Sequence, residues 1–315
     1  MQIGHQILTN PVARGLNILG DRWTILIMRD AFLGRHRFSE FRTYTGIARG
    51  TLSNRLEALV AEGLLYKKAY SESPPRYDYK LTEKGLALYP WALLIWQWES
   101  QWTDQQQAGV PSVLWHQVGE EAHKLEPLCV CRHCREVVHY DDVKRVVTGE
   151  QGEISAEEIS QKFGNQRRTR SQVTADADQA LGHIIDVIGD RWTTLILAAA
   201  FIGLRRYDDF QQQLGIATNI LADRLKMLLQ MEVLERKEYQ SNPPRYQYEL
   251  TQKGKSLYPQ TMAVRQWVLD CLPEAVHPFK LVHKTCGHDL AVDVVCGHCK
   301  EQPSAGNVKF DRHPE

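Results

Sequence analysis

The chain has 315 residues, of which 43% are hydrophobic and 24% are charged, and its 38 basic and 38 acidic residues give a formal net charge of zero. This composition excludes a disordered or fibrous protein, and the length favours two globular domains of roughly 150 residues each. No stretch approaches the roughly 18 apolar residues of a membrane span and the polar start MQIGHQILTN lacks a signal-peptide pattern, so we expect a cytoplasmic protein.

The first part of the chain predicts a helix-turn-helix. Apolar residues at helical spacing indicate helices over 12–20 and 23–34, each with a glycine at its end. We expect Ser39 to cap a short third helix that ends at Gly46, and Thr51 to start a longer fourth helix with an apolar stripe of leucines. A short helix, a glycine-containing turn and a longer helix together are typical of this motif.

A predicted β-hairpin follows directly. The runs LLYKKAY and RYDYKLT indicate two short strands, and the intervening SESPP favours a turn. A hairpin in this position is the wing of a winged helix. From Thr82 onward we expect one long aromatic-rich helix.

The whole arrangement occurs twice. The pentapeptide GDRWT begins at Gly20 and again at Gly189, and 36 of 79 aligned positions from Gly20 to Trp98 are identical at a constant offset of 169 residues. This period is far longer than the roughly 20–50 residues of a solenoid repeat. The sequence therefore predicts a duplicated domain.

Three motifs carry a resemblance to a known family: PVARGLNILGDRWTILIMRDAFLG, RFSEFRTYTGIARGTLSNRLEALVAEGLL and PPRYDYKLTEKG. Both repeats resemble the winged-helix domain of the HxlR family of bacterial transcription regulators. The resemblance implies a transcription regulator that binds double-stranded DNA and usually works as a homodimer. With two copies in one chain, we expect a covalent pseudo-dimer, with further homodimerisation possible and with an effector that the sequence does not disclose.

We therefore expect a mainly α fold with small β wings (α+β), in which two winged helix-turn-helix domains are each followed by a small Cys/His knuckle. The expected boundaries are a first winged-helix domain over 1–104, its Cys/His module over 105–140, a polar linker over 141–175, a second winged-helix domain over 176–272, its module over 273–302, and an irregular tail over 303–315.

The resemblance places the fourth helix of each repeat in the major groove, and basic wing residues against phosphates or a minor groove. In the second repeat a carboxylate, Asp223, lies among the reading positions, so we expect two unequal readers. The arginines shared by the repeats have an alternative role, which is to fix the motif through a carboxylate such as Glu40 or Asp209. The expected DNA-binding residues are Arg49, Thr51, Ser53, Asn54, Arg55, Lys67, Lys68 and Arg76, and Thr218, Asn219, Arg224, Arg236, Lys237 and Arg245.

Cysteine and histidine residues after each winged helix suit tetrahedral zinc. The second module offers His283 and Cys286 followed by the C-x-x-C pair Cys296 and Cys299, although His288 or His298 could replace one ligand. Plain thiols in a small hairpin are the alternative interpretation.

The first module offers a less regular set. Gly119 occupies the position expected for a cysteine, so the fourth ligand would be either His123 or Cys129. The remaining candidates are His116, Cys131 and Cys134.

Two functional classes remain. The leading hypothesis is a sequence-specific DNA-binding regulator, and the alternative is a winged-helix module that binds protein and is stabilised by zinc knuckles. No H-E-x-x-H, phosphate loop or nucleophile elbow is present, so we do not expect an enzyme. Several members of the HxlR family sense oxidants through a cysteine immediately before the Pro-Val pair of the first helix. That position is Asn10 here and Gln179 in the second repeat, so sensing by that thiol is excluded.

Overall fold

The computed structural model describes residues 10–73, 75–103, 110–147, 181–272 and 279–310. Mixed helices and small antiparallel strands form two winged helices in tandem, as the sequence predicts. Within the described residues, no helix combines the length and the apolar character needed to cross a membrane.

The first repeat has six helices and a wing. They are α1 (Pro11–Leu19), α2 (Arg22–Phe32), α3 (Phe38–Thr45), α4 (Arg49–Ala61), β1 (Leu65–Glu72), β2 (Pro75–Leu81), α5 (Glu83–Leu86) and α6 (Tyr89–Trp102). The strands β3 (Leu114–Val118), β4 (Glu121–Lys124), β5 (Pro127–Cys131) and β6 (Val143–Val147) follow, with a single 3₁₀ turn over Tyr140–Asp142.

The winged helix of the second repeat has the same order of elements as that of the first. They are α7 (Gly182–Ile188), α8 (Arg191–Phe201), α9 (Tyr207–Leu214), α10 (Thr218–Gln230), β7 (Leu234–Ser241), β8 (Pro244–Leu250), α11 (Gln252–Lys255) and α12 (Tyr258–Cys271), followed by β9 (Phe279–His283), β10 (Val292–Cys296) and β11 (Val308–Phe310).

The described chain divides into two compact units, and neither unit is one continuous stretch. The first-repeat unit takes its described residues from Ile18–Leu128, Thr169–Gly189 and Val294–Glu315. The second-repeat unit takes them from Met1–Asn17, Cys129–Arg168 and Asp190–Asp293. Each unit therefore contains one helix-turn-helix with its wing and a segment from the other half of the chain.

Antiparallel strand pairs join the distant segments inside each unit. In the first-repeat unit, β11 pairs with β3 and places Val308 opposite His116. In the second-repeat unit, β6 pairs with β9 and places Val143 opposite His283. These two pairings set the positions of the Cys/His segments.

The aspartate of each GDRWT pentapeptide caps the helix that follows. Asp21 Oδ1 accepts hydrogen bonds from the backbone N–H groups of Trp23 and Thr24, at 3.1 and 3.2 Å. Asp190 Oδ2 accepts from the backbone N–H of Thr193 at 2.9 Å. A carboxylate in this position accepts hydrogen bonds from backbone donors that have no partner within the helix. Its negative charge also interacts favourably with the positive end of the helix dipole.

The predicted elements of the first repeat differ from the structure in three places. The fourth helix, α4, begins at Arg49 and not at Thr51, with Ala48 at its N-cap. The cap of α3 is Arg37, and Ser39 lies inside the helix, because Glu40 Oε2 accepts from the N–H groups of His36 and Arg37 at 2.9 and 2.7 Å. The long helix expected from Thr82 is split into α5 and α6. Pro90 lies in the first turn of α6, where its missing N–H costs nothing, whereas inside one long helix it would break a hydrogen bond.

The linker and the tail also contain regular structure. Residues 143–147 of the expected linker form β6, and residues 148–175 lie outside the described residues. The expected irregular tail contains β11, because its backbone completes the edge of the β3–β4 sheet.

Candidate nucleic-acid interface and metal clusters

The candidate reading helix of the first repeat, α4, presents polar side chains on its outer face. Its inner face buries Leu52, Leu56 and Leu59. Gly46 ends α3 in the left-handed region, with φ of 67°, and so lets the chain turn sharply into α4. The N-terminal part of α4 exposes Arg49 and Asn54 and leaves Thr51, Ser53 and Arg55 half-buried.

Arg55 contacts the pentapeptide aspartate. Its Nε lies 3.2 Å from Asp21 Oδ1, and 34% of its side chain is exposed. Asp21 therefore caps α2 and also contacts α4 through Arg55. The sequence suggested Glu40 as the partner of this arginine, whereas the signal for Asp21 was the presence of the same Asp and Arg in both repeats.

The equivalent arginine of the second repeat is not a surface residue. Arg224 Nε and Nη2 donate to Asp190 Oδ2 and Oδ1 at 2.7 and 3.1 Å, and Nη1 donates to Asp223 Oδ2 at 2.5 Å. Only 8% of the Arg224 side chain is exposed, so its expected role as a DNA contact is wrong. Arg224 on α10 therefore binds Asp190 at the start of α8 in the protein interior, and we call this contact the arginine clamp.

The other expected reading positions of the second repeat lie on the surface of α10. Thr218 and Asn219 are exposed in its first turn, and Gly215 ends α9 with φ of 59°. Asp223 also lies on this surface, although its carboxylate is engaged by Arg224.

The two wings differ in charge. The first wing, β1 and β2, has four basic and two acidic residues, and the second wing, β7 and β8, has three of each. Lys67, Lys68 and Arg76 are exposed on the first wing, and Arg236, Lys237 and Arg245 are exposed on the second.

On the second wing, Lys237 is paired with acidic residues. Its Nζ lies 2.9 Å from Glu235 Oε1 and 2.7 Å from Glu249 Oε2. These two carboxylates raise the pKa of Lys237, and Lys237 lowers the pKa of Glu249. The equivalents of Glu235 and Glu249 on the first wing are Tyr66 and Lys80. The first wing is therefore the more basic of the two.

The cysteine and histidine side chains meet in two clusters whose membership differs from the expected one. The structure does not bring His283 and Cys286 together with Cys296 and Cys299 as one set of four. The clusters that could hold a metal are His116, His123, Cys296 and Cys299 in the first-repeat unit, and Cys131, Cys134, His283 and Cys286 in the second-repeat unit.

Strand pairing explains this exchange of ligand pairs. The pairing of β11 with β3 places the segment that follows Cys299 beside His116. The pairing of β6 with β9 places the segment that follows Cys134 beside His283. Each C-x-x-C pair therefore meets a histidine from the other half of the chain.

The distances between ligand atoms suit one tetrahedral ion in each cluster. In the first, His123 Nε2 lies 3.3 Å from Cys296 Sγ, and His116 Nδ1 lies 3.4 Å from Cys299 Sγ. In each cluster, all four ligand atoms lie within 4.8 Å of one another. A tetrahedron with Zn–N and Zn–S bonds of about 2.0 and 2.3 Å has edges of about 3.3–3.8 Å.

The second cluster has the same dimensions with one more thiol. His283 Nδ1 lies 3.3 Å from Cys134 Sγ and 3.5 Å from Cys286 Sγ, and the Sγ atoms of Cys131 and Cys286 are 3.9 Å apart. His283 and His116 are fully buried. Both aim Nδ1 at the thiols, while Nε2 has no hydrogen-bond partner among the described residues.

The turns of the C-x-x-C pairs favour thiolate. Burial opposes ionisation of Cys131, but the backbone N–H groups of Cys134 and His133 hold the pKa of this thiol below its ordinary value. For Cys296, burial is again outweighed by backbone N–H groups, here those of Cys299, His298 and Glu126, so its pKa is lowered too. Thiolate is the form that binds a metal.

The other candidate ligands lie outside the two clusters. Cys129 is buried, and burial raises the pKa of its thiol to about 12, so it behaves as a small core residue. His288 stacks on His133 at 3.3 Å between ring centroids, and His298 stacks on His123 at 4.3 Å. Of the two residues left open for the first module, His123 is a cluster member and Cys129 is not.

Comparisons with known proteins agree with this architecture. The family model of the HxlR-like helix-turn-helix matches the chain twice, over residues 18–107 and 187–275. An HTH-type transcriptional regulator of Mycobacterium tuberculosis is 37% identical over 137 residues, which cover 43% of this chain and 87% of that protein. The HTH-type transcriptional regulator YdeP of Bacillus subtilis is 32% identical over 96 residues, which cover 30% of this chain and 75% of YdeP.

A solved structure is similar over one half. The crystal structure of PA1607, described as a candidate transcription factor, shares 34% identity and a TM-score of 0.37, and the alignment covers 45% of this chain and 96% of that one. The two matches of the family model together span more than half of the sequence. This protein belongs to the HxlR-like helix-turn-helix family, with two copies of the family domain in one chain.

Proposed function

We propose that the protein is a transcription regulator that binds double-stranded DNA sequence-specifically through two unequal readers in one chain. We also propose that both clusters hold structural zinc. The observation that carries the first part is α4. It is the second helix of a helix-turn-helix, its leucine face is buried, and its first turns expose Arg49 and Asn54. Such side chains can donate to base edges in the major groove or to phosphates.

The inequality of the readers is supported by the arginine clamp and by the wings. Arg224 is buried against Asp190, whereas Arg55 is half-exposed. The first wing is basic and the second has equal numbers of basic and acidic residues. Since phosphate contacts supply much of the affinity, we expect the first repeat to provide most of the binding free energy. The duplication supplies within one chain the two readers that the family resemblance expects of a homodimer.

Zinc is supported by the donor sets. Two histidines with two cysteines, and one histidine with three cysteines, are the ligand combinations of structural zinc sites. Four protein ligands leave no open coordination position, so bound zinc would stabilise the fold and would take no part in catalysis.

The experiment begins with selection of bound fragments from genomic DNA, followed by measurement of affinity for the selected site at several salt concentrations. A specific complex should lose affinity linearly in log salt, with a slope that reflects several phosphate contacts. If no fragment binds above background at low salt, the alternative of a protein-binding module is favoured.

Two variants at equivalent wing positions test the inequality. We expect Lys68→Ala to weaken binding to the selected site and to reduce the salt slope by about 1, because its charge is available to a phosphate. Lys237→Ala should leave both quantities nearly unchanged, because this lysine already contacts Glu235 and Glu249. Equal losses in the two variants would contradict the unequal readers, and fluorescence anisotropy with labelled DNA measures both.

The reading helices provide a second comparison. Arg49→Ala should cost about 1–3 kcal/mol of binding free energy if Arg49 contacts a base, and the aligned Thr218→Ala should cost less.

A further inference from the structure

The second-repeat unit contains a cavity that neither the readers nor the metal clusters use. Its volume is about 190 Å³. It lies among the start of α1, the end of α8, one face of α12, and strands β6 and β9. Apolar side chains such as Phe201, Met262 and Phe279 form much of its wall.

Two arginines line this cavity. Arg265 is 8% exposed, and its Nη1 donates to the backbone carbonyl of Leu290 at 3.1 Å. The guanidinium carbon of Arg145 lies 5.9 Å from the ring centre of Phe279. Burial lowers the pKa of both arginines, which is the expected response of a cation removed from water. An anion placed between apolar walls and these guanidinium groups would gain charge-assisted hydrogen bonds.

The first repeat carries different residues at the equivalent positions. Ala198, which lines the cavity, corresponds to Arg29, and Arg265 corresponds to Trp96. In the first-repeat unit both larger side chains are committed to the fold: Arg29 Nε donates to Asp30 Oδ1 at 2.9 Å and Trp96 Nε1 donates to the carbonyl of Pro111 at 2.8 Å. The second repeat thus has the small Ala198 where the first has Arg29, and the cationic Arg265 where the first has Trp96.

We propose that this cavity binds a small organic anion that has one carboxylate and an aromatic or alicyclic body. The size sets the scale, because an apolar cavity of about 150 Å³ holds one benzene molecule. A cavity of about 190 Å³ therefore has room for a ring and a carboxylate. The ring would contact Phe201, Met262 and Phe279, and the carboxylate would face Arg265 and Arg145.

Isothermal titration calorimetry of the full chain with benzoate tests this proposal, with benzamide as the neutral ligand of the same shape. We expect saturable binding of one benzoate per chain and at least about tenfold weaker binding of benzamide, because the neutral amide cannot form charge-assisted hydrogen bonds with the guanidinium groups. Arg265→Met and Arg145→Gln should each weaken benzoate binding by about the same factor. Ala198→Leu should abolish binding by filling the cavity while keeping both cations.

Lys280→Gln is the matched control. Lys280 lies on β9 between the cavity residues Phe279 and Leu281 but is exposed and paired with Asp289 at 2.8 Å. Its loss should leave benzoate affinity unchanged. Circular dichroism and urea unfolding establish that each variant is folded. The proposal is overturned if the wild-type chain shows no saturable benzoate binding, if benzamide binds equally well, or if folded Ala198→Leu and Arg145→Gln bind benzoate as the wild type does.

Discussion

If each cluster binds zinc as proposed, a chain carrying both Cys286→Ser and Cys299→Ser is expected to lose both ions, because the structure places these two thiols in different clusters. The double variant Cys134→Ser/Cys286→Ser should lose one ion and keep the other, because both thiols belong to the same cluster. If each ion were instead held by ligands from one sequence module, Cys286→Ser/Cys299→Ser would lose one ion and Cys134→Ser/Cys286→Ser would lose both. Metal content per chain, measured by elemental analysis, distinguishes the arrangements.

Loss of the metal ions should lower the free energy of unfolding by a large amount. In the first cluster the ligand pairs His123–Cys296 and His116–Cys299 are 173 and 183 residues apart in the chain. In the second, Cys134 and His283 are 149 apart. A crosslink that closes a loop of more than 100 residues restricts the unfolded chain by roughly 5 kcal/mol in the chain-entropy treatment.

Chelation of the wild-type protein should therefore lower its free energy of unfolding by several kcal/mol, and readdition of zinc should restore it. Urea unfolding with and without a chelator measures this change. A wild-type protein that contains no metal after expression with zinc, or whose urea midpoint does not respond to chelation, would contradict structural zinc.

The second large effect concerns the arginine clamp. Arg224→Met should lower the free energy of unfolding by about 3–5 kcal/mol, because it leaves the carboxylate of Asp190 buried without its partner. The equivalent Arg55→Met should cost about 1 kcal/mol or less, since its ion pair with Asp21 is partly exposed to water. Urea unfolding at pH 7 measures both.

The double variant Asp190→Asn/Arg224→Met separates the buried charge from lost packing. The asparagine oxygen can still accept from the N–H of Thr193, so removal of the charge should recover part of the lost stability. Equal effects of Arg224→Met and Arg55→Met would contradict the different burial of the two arginines.

The pH of the measurement follows from the pKa of Asp190. Burial acts to raise this pKa, but hydrogen bonds and the charge of Arg224 outweigh it and hold the value below the ordinary one. For a carboxyl with a lowered pKa in the folded state, the stabilisation is complete above the unfolded value of about 3.9 and is lost as the pH falls through the folded value. Measurements at pH 7 therefore report the whole contribution.

Local patterns in the sequence determined the helix-turn-helix and the wings. The apolar stripe of Leu52, Leu56 and Leu59, the turn glycines Gly46 and Gly215, and the proline-containing hairpin turns each act over a few residues. Such short-range features also revealed the duplication, because GDRWT supplies the same cap in both repeats. The same patterns predict that the two thiols of each C-x-x-C pair lie close together, and in the structure both cysteines of each pair belong to one cluster, since the geometry of that turn is local.

Only the tertiary structure decided how the distant pieces combine. Which histidine meets which C-x-x-C pair depends on the pairing of β11 with β3 and of β6 with β9, and neither pairing has a local signature. The burial of Arg224 likewise depends on the packing of α10 against Asp190, whereas Arg55 is aligned with it and contacts the aligned aspartate but is more exposed. Contacts between residues more than 100 positions apart are set by the free energy of the whole fold, so the ligand sets required the structure.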